Sequence, residues 1–277
     1  MTASKIPLVA VLGHPVSHSK SPRLHNNWLK TLRLKGHYIP IDVAPVDFED
    51  VLQMMPKMGF VGANVTIPHK HRALAFADHV SDRAALIGAA NTLSFSEDGK
   101  IYADNTDGYG FIENIKDYQP QWNAASGPAL VLGAGGASRA VLSALIEVGV
   151  PEIYLVNRTR ARAEQLKTDL GARIKVLDWS KAPDILGIID LMVNTTSLGM
   201  VGKPELSFSI KYLTSKTLVA DLVYTPLETE LLKQAHAIGC TVVNGLGMLI
   251  HQAVPGFERW FGKRPTVDQE TRNLLLP

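Results

Sequence analysis

One short stretch constrains this chain more than any other: an apolar run that ends in glycines and passes directly into a helical pattern. Leu130-Val131-Leu132 is followed by Gly133-Ala134-Gly135-Gly136-Ala137-Ser138-Arg139-Ala140. A buried strand, a tight turn and a helix in that order open a strand–helix–strand unit, whose parallel strands need helices packed on the sheet faces. Glycines in the turn let the backbone approach a pyrophosphate, and the unbonded N–H groups of the first helical turn meet its charge. A glycine cluster alone signals no more than a flexible turn. Its place between strand and helix makes Gly133, Ala134, Gly135, Gly136 and Ala137 candidates for a dinucleotide site. Ser138 stands where the fingerprint has its third glycine, and is small enough to keep the helix close to the strand.

The alternation extends in both directions. Beyond the turn, helices are expected at 138–148 and 159–170, and strands at 152–156, 191–194, 218–222 and 240–243. Before it, strands are expected at 7–13, 38–43 and 63–67. Ser21-Pro22 reads as a cap and first helical residue, followed by Leu24, Trp28 and Leu32 at four-residue spacing, with Gly36 as the stop. A helix over 47–58 follows, then a hairpin of 91–95 and 100–103 around Asp98-Gly99, then a helix over 107–118. Pro120, Gly127 and Pro128 break the pattern, so a domain boundary is expected at 119–128. The expected architecture is α/β: an N-terminal α/β domain over 1–118 and a Rossmann-like dinucleotide domain over 119–244. A helical segment from 245 to 277 returns to the first domain.

Length and composition agree. The chain has 277 residues, 46% hydrophobic and 19% charged, enough for two packed cores. A formal net charge of +2 gives no footprint for nucleic acid or an anionic membrane. Cys240 is the only cysteine and begins an apolar strand, so no internal disulfide forms, and a buried core role is expected in a reducing compartment. Residues 1–5 carry no export signal and the following apolar run is only strand length, which points to the cytoplasm.

Other residues carry chemistry. The second strand of the dinucleotide unit ends in Val156-Asn157-Arg158-Thr159-Arg160-Ala161-Arg162. An acid there would accept from the ribose 2′-OH of NAD; a neutral Asn157 followed by Arg158 and Arg162 suits the 2′-phosphate of NADP instead. The competing reading is a basic, solvated helix start. Asn64-Val65-Thr66-Ile67-Pro68-His69-Lys70 ends one strand, and Asp104-Asn105-Thr106-Asp107-Gly108 leads into a helix. Lys70 and Asp107 fit an acid/base pair for ketone reduction, in which a lysine protonates the developing alkoxide and a carboxylate orients it. An exposed lysine and a capping aspartate explain the same spacing. Ser17 and Ser19 precede a helix and suit a small carboxylate, or ordinary turn chemistry. His69 and His71 lack a third ligand at metal-binding spacing, so no metal is expected there.

Taken together, these pieces resemble the shikimate dehydrogenase family from residue 11 to 252. The ordered motifs are S-H-S at 17–19, N-V-T-I-P-H-K at 64–70, A-A-N-T at 89–92 and D-N-T-D-G at 104–108. They continue with G-A-G-G-A-S at 133–138, N-R-T-x-x-R at 157–162 and N-T-T-S-L-G-M at 194–200. D-L-V-Y at 221–224 and G-L-G-M-L-I-H-Q at 245–252 complete the series. The resemblance implies NADPH-dependent, reversible reduction of 3-dehydroshikimate to shikimate in aromatic amino acid biosynthesis, by a monomer or homodimer. It implies that Ser17, Ser19, Thr66 and Tyr224 hold the substrate carboxylate, and that Asn64, Asn91, Asp107 and Gln252 read the ring hydroxyls. Lys70 would be the catalytic proton donor or acceptor. Gly133 to Ala137, Asn157, Arg158, Thr159 and Arg162 would hold NADP, with Leu222, Gly245 and Met248 at the nicotinamide end and Asp82 near the cofactor. Thr195 and Leu222 depart from the family's common alanine and methionine without removing a reactive group. A quinate/shikimate dehydrogenase with relaxed cofactor use, and a catalytically silent nucleotide sensor, are the alternatives.

Overall fold

The computed structural model describes residues 6–276, so residues 1–5, on which part of the localisation expectation rests, lie outside it. The chain divides into two compact units, one running to Thr106 and resuming at Ile250, the other Asp107–Leu249.

In the first unit the order is β1 (Leu8–Gly13), α1 (Ser21–Thr31), β2 (His37–Asp42), α2 (Phe48–Met54), β3 (Phe60–Val65) and α3 (Lys70–Phe76). Then come β4 (His79–Val80), α4 (Asp82–Ile87), β5 (Thr92–Phe95) and β6 (Ile101–Asp104). The strands form one sheet in the order β2-β1-β3-β5-β6-β4. β1 pairs in parallel with β2 and β3, whereas β5 runs antiparallel to β3 and β6. Strand periodicity divides β1 between two cores: Ala10 and Leu12 pack with Phe48, Leu52 and Met55, and Val9 and Val11 pack with Tyr38 and Trp260. Burying each such Val or Leu contributes about 1.5–3 kcal/mol.

Three local expectations need correction. α1 begins at Ser21 itself, with Lys20 in the cap position and no side-chain cap, while the Ser19 hydroxyl accepts from the Ser21 N–H at 3.3 Å. α1 ends at Thr31, and Arg33 takes the left-handed turn (φ 53°). Gly36 serves packing: a Cβ there would lie 2.6 Å from the Phe261 ring. The third concerns Lys70, which opens α3, not a strand end.

The second unit contains α5 (Asp107–Tyr118), β7 (Ala129–Leu132), α6 (Gly136–Glu147), β8 (Ile153–Val156), α7 (Arg160–Leu170) and β9 (Ile174–Leu177). β10 (Leu191–Asn194), β11 (Leu218–Asp221), α8 (Glu230–Ile238) and β12 (Thr241–Val243) follow. The six strands are all parallel, in the order β12-β11-β10-β7-β8-β9. This is the doubly wound arrangement, reversing direction between β7 and β10, where the carboxyl ends of the strands leave a crevice. Buried Leu130 and Val131 face opposite cores, as full burial of a parallel strand requires.

The contact division falls at Thr106/Asp107, ahead of the 119–128 loop that the sequence marks. The cause is α5. Its Phe111, Ile112 and Ile115 join the second core, and a Cβ on Gly108 would lie 2.9 Å from the Ala140 carbonyl oxygen and the Ala144 methyl.

The chain closes with α9 (Leu246–His251), α10 (Val254–Phe261) and α11 (Gln269–Leu274), so the expected single helix after 245 is interrupted at Gln252-Ala253. Cys240 is buried, and its S–H donates to the Thr214 carbonyl at 3.3 Å. Among the described residues no helix is long and apolar enough to cross a membrane.

Candidate active site

Strand direction assembles the first group. β1, β3 and β6 deliver their carboxyl ends to one rim of the sheet, and antiparallel β5 brings its amino end to the same rim. Ser17, Ser19, Asn64, Thr66, Lys70, Asn91 and Thr106 all follow from that rule.

The serine loop is tied down at its base. Asp42, at the end of β2, meets His14 Nδ1 at 2.6 Å and accepts from the Val16 N–H at 3.0 Å. The His14 contact first, and then the Val16 N–H, hold the Asp42 carboxyl below the usual carboxylate range. Ser17 stands exposed and Ser19 half-buried beyond this anchor. The His14 N–H donates to the Ile67 carbonyl at 3.1 Å, which fastens the loop to the segment carrying Thr66. Gly13 permits that approach, since a Cβ there would sit 2.5 Å from Thr66 Cγ2.

Beside it runs a row of bonded amides and hydroxyls. The Tyr38 hydroxyl donates to Asn64 Oδ1 at 2.7 Å, and Asn64 Nδ2 donates to the Asn91 carbonyl at 3.0 Å and to Thr92 Oγ1 at 3.3 Å. Asn91 Oδ1 accepts from Thr92 Oγ1 at 2.8 Å and from the Thr106 N–H at 2.9 Å. Asn91 Nδ2 reaches Gln252 Oε1 at 3.3 Å, and Thr106 Oγ1 donates to the Gln252 carbonyl at 2.7 Å. Buried amides linked in this way have fixed orientations, so their remaining lone pairs point in set directions. Lys70 is pinned to the same segment because its carbonyl accepts from the Ala90 N–H at 2.9 Å, one residue before Asn91. Asp107 follows Thr106 directly and opens α5.

Both neighbouring histidines are structural. His69 is buried, stacks on Phe48 with centroids 4.3 Å apart, and bonds the Val43 carbonyl at 2.8 Å. Burial pushes its pKa down. His71 Nδ1 bonds the Gly88 carbonyl at 2.6 Å. No cluster able to hold a metal occurs among the described residues. Asp82 stands exposed at the first residue of α4, behind the Ser81 cap.

The second group lies at the reversal point of the parallel sheet. Gly133 takes φ 105°, a conformation that L side chains rarely adopt. A Cβ on it would lie 2.8 Å from both Thr195 Oγ1 and Thr196 Cγ2. The Ser138 hydroxyl donates to the Gly133 carbonyl at 2.7 Å, so the residue replacing the third glycine locks the turn. A Cβ added at Gly135 or Gly136 meets nothing within 4 Å, leaving their backbone open to a phosphate group. Asn157 Oδ1 accepts from the Ala134 N–H at 3.1 Å and Asn157 Nδ2 donates to the Thr159 carbonyl at 2.9 Å, bridging the turn to the end of β8.

Three arginines follow, and they divide. Arg160 is held by Glu164 at 3.0 Å and Asp178 at 2.6 Å. Arg158 and Arg162 are exposed, and neither guanidinium has a partner among the described residues. These residues fit a dinucleotide carrying a 2′-phosphate: an open glycine turn, then two unneutralised forks. Further along, Gly245 closes on the loop after β11, where a Cβ would lie 2.1 Å from the Leu222 carbonyl oxygen. Met248 packs partly buried on the second core, and Tyr224 is about one-third exposed (37%).

Comparison with known proteins agrees with this geometry. Family models described as the shikimate dehydrogenase substrate binding domain, shikimate / quinate 5-dehydrogenase and the shikimate 5′-dehydrogenase C-terminal domain match residues 11–93, 117–222 and 245–269. The chain belongs to the shikimate dehydrogenase family. It is 62% identical over 273 residues to a shikimate dehydrogenase (NADP(+)) of Cereibacter sphaeroides, covering 99% of this chain and 98% of the relative. A Thermus thermophilus shikimate 5-dehydrogenase solved with NADP(H) and shikimate superposes with TM-score 0.84 at 38% identity, covering 96% and 97% of the two chains. A Corynebacterium glutamicum quinate dehydrogenase solved with NAD gives TM-score 0.89 at 30% identity, covering 97% and 98%.

Several members of the site escape a reading of the family motifs one by one. Thr92 and Thr106 lie inside the quoted motifs and bond Asn91; Tyr38 and Asp42 lie outside them and orient Asn64 and the serine loop. In the second unit, Asn194 Nδ2 donates to Asp221 Oδ1 at 3.0 Å, joining two further motifs. Burial raises the Asp221 pKa against the opposing Val223 N–H, Thr229 and Asn194.

Proposed function

We propose that this chain catalyses the reversible, NADP-linked reduction of 3-dehydroshikimate to shikimate, in the cytoplasm, as a step of aromatic amino acid biosynthesis. One observation carries the reading: a continuous hydrogen-bonded row from Tyr38 through Asn64, Asn91 and Thr106 to Gln252, on the same sheet rim as Lys70 and the serine loop. A polyhydroxylated ring with one carboxylate is the ligand such a rim suits. In this reading Ser17, Ser19, Thr66 and Tyr224 hold the carboxylate, and Asn64, Asn91, Asp107 and Gln252 read the hydroxyls. The backbone of Gly133–Ala137 holds the pyrophosphate. Asn157 and Thr159 shape the adenosine end, and Arg158 and Arg162 take the 2′-phosphate. Leu222, Gly245 and Met248 flank the nicotinamide, and Asp82 belongs to the cofactor set on family resemblance alone.

When bound, reduced NADP supplies a hydride to the ketone carbon. The Lys70 ammonium stabilises the oxygen as charge develops and gives it a proton; Asp107 orients the ammonium. In the reverse direction Lys70 takes the proton back. Fixed amide orientations mean that these groups need little rearrangement as the alkoxide forms.

A second reading, quinate oxidation with NAD, is favoured by the likeness to the Corynebacterium glutamicum enzyme. Arg158 and Asn157, standing where an NAD site has an acid, weigh against it. Initial rates with shikimate and quinate, each with NADP and NAD, decide the matter. The expected outcome is a kcat/KM for shikimate with NADP at least about tenfold above every other combination. Equal or better rates with quinate and NAD would overturn the proposal.

A further inference from the structure

The hydrogen bonds along the rim have a direction, because several of their partners have no choice of role. A main-chain carbonyl only accepts, so the Asn64 side-chain atom that meets the Asn91 carbonyl at 3.0 Å must be the amide nitrogen. That fixes the amide against a half-turn and sets Oδ1 toward the Tyr38 hydroxyl, 2.7 Å away. An amide oxygen cannot donate, so the phenol must. Burial pushes the Tyr38 pKa up, against the Ser21 side chain beside it, and the phenol keeps the proton it donates.

The second Asn64 hydrogen is committed as well. Thr106 Oγ1 gives its proton to the Gln252 carbonyl at 2.7 Å, and Thr92 Oγ1 gives its own to Asn91 Oδ1 at 2.8 Å. Thr92 Oγ1 is left to accept, and Asn64 Nδ2 reaches it at 3.3 Å. Both Nδ2 hydrogens are thus used within the protein, while Oδ1 keeps one lone pair. Toward any further partner, Asn64 can only accept. Tyr38 is itself firmly placed. Asn26 Oδ1 accepts from its N–H at 3.2 Å, Asn26 Nδ2 donates to its carbonyl at 2.8 Å, and the His25 ring stacks on it with planes 7° apart. The phenol therefore meets Asn64 from one direction.

We propose that Tyr38 is a specificity-determining positioning residue: by donating to Asn64 Oδ1 it locks Asn64 as an acceptor, so this point of the site admits a ring hydroxyl and rejects a substituent that cannot donate. The inference rests on the reading of Asn64 as a hydroxyl contact and adds the polarity of that contact. A missing hydroxyl leaves the buried lone pair unmatched, and a fluorine sets a second lone pair against it.

Kinetics with shikimate, and with analogues in which either non-reacting hydroxyl is replaced by hydrogen or by fluorine, test this. At the position that meets Asn64, hydrogen should lower kcat/KM at least about tenfold, and fluorine at least as much. Tyr38→Phe should lower kcat/KM for shikimate about five- to tenfold, chiefly through KM, and that for the two analogues by less than about twofold. A purely structural role would scale all three alike. Proton exchange at the Asn64 side-chain amide, followed by NMR on the ligand-free chain, reads the lock without substrate, and Tyr38→Phe should speed it at least about threefold. Failure of the wild type to turn over shikimate would overturn the substrate reading alone, since the exchange measurement judges the lock separately. A fluoro analogue that outperforms its deoxy counterpart at both positions, equal losses for all compounds in Tyr38→Phe, or unchanged amide exchange would each overturn the proposal.

Discussion

The two units prepare for their ligands by opposite means. The first orders side chains against one another, as Asn64, Asn91, Thr92 and Thr106 do, so that each amide is oriented by its neighbours. The second removes side chains, leaving Gly133, Gly135 and Gly136 as bare backbone at the reversal of a parallel sheet. A ring with several hydroxyls demands direction at many points, whereas a pyrophosphate demands closeness and N–H groups. The lesson is that damage to the first unit should appear in turnover and substrate KM, and damage to the second in cofactor KM.

The sharpest break of that division is Lys70→Ala, which should lower kcat about 10²- to 10⁴-fold while leaving the NADP KM within about twofold. Steady-state kinetics with both substrates varied would show it, and a near-normal kcat removes Lys70 from the chemistry. Next in size, the double replacement Arg158→Ala with Arg162→Ala should raise the NADP KM by about 10- to 100-fold and leave any weak NAD rate unchanged. Equal losses with both cofactors would mean that these arginines serve the fold. Gly133→Ala tests the bare backbone directly. With φ 105° and a Cβ 2.8 Å from Thr195 Oγ1, it should cost about 1–3 kcal/mol of stability and weaken NADP, read by thermal unfolding with and without cofactor.

The smallest effect concerns the first unit's core. His25 is fully buried, stacked on Tyr38 with centroids 4.0 Å apart, and neither ring nitrogen has a partner. Burial lowers its pKa from 6.5 to about 3. The unfolded chain therefore takes up the proton first, so this stability is complete above the unfolded value and is lost as pH falls toward 3. Between pH 7.5 and 5.5 the loss is on the order of 1 kcal/mol. His69 contributes with the same sign, and His25→Phe isolates the term: its stability, measured by urea unfolding, should fall less steeply across that window. Identical slopes would refute the assignment.

Much of this was readable in advance where one local signal dominates. The glycine turn between β7 and α6, the hairpin at Asp98-Gly99 and α5 all announce themselves by residue type and period. What escaped was short or relational. α3 and α4 are too brief to show a helical period, and β9 is a four-residue edge strand. α8 did carry legible ends, Thr229 as cap and Gly239 as left-handed stop. The Asn64–Asn91–Thr106 row depends on strand register, which no single segment states. Which arginine is free was half readable: Glu164 four residues after Arg160 points to a helical ion pair, but Asp178 is contributed from a distant loop.

The reversed direction of β5 has a practical corollary. Because Asn91 and Thr106 occupy one end of the β5–β6 hairpin, the turn at Ser96–Lys100 is carried to the opposite end, exposed and bonded mainly to itself. That tip is the place to graft a fluorophore or an affinity peptide: the addition is held a full strand length from the residues that matter.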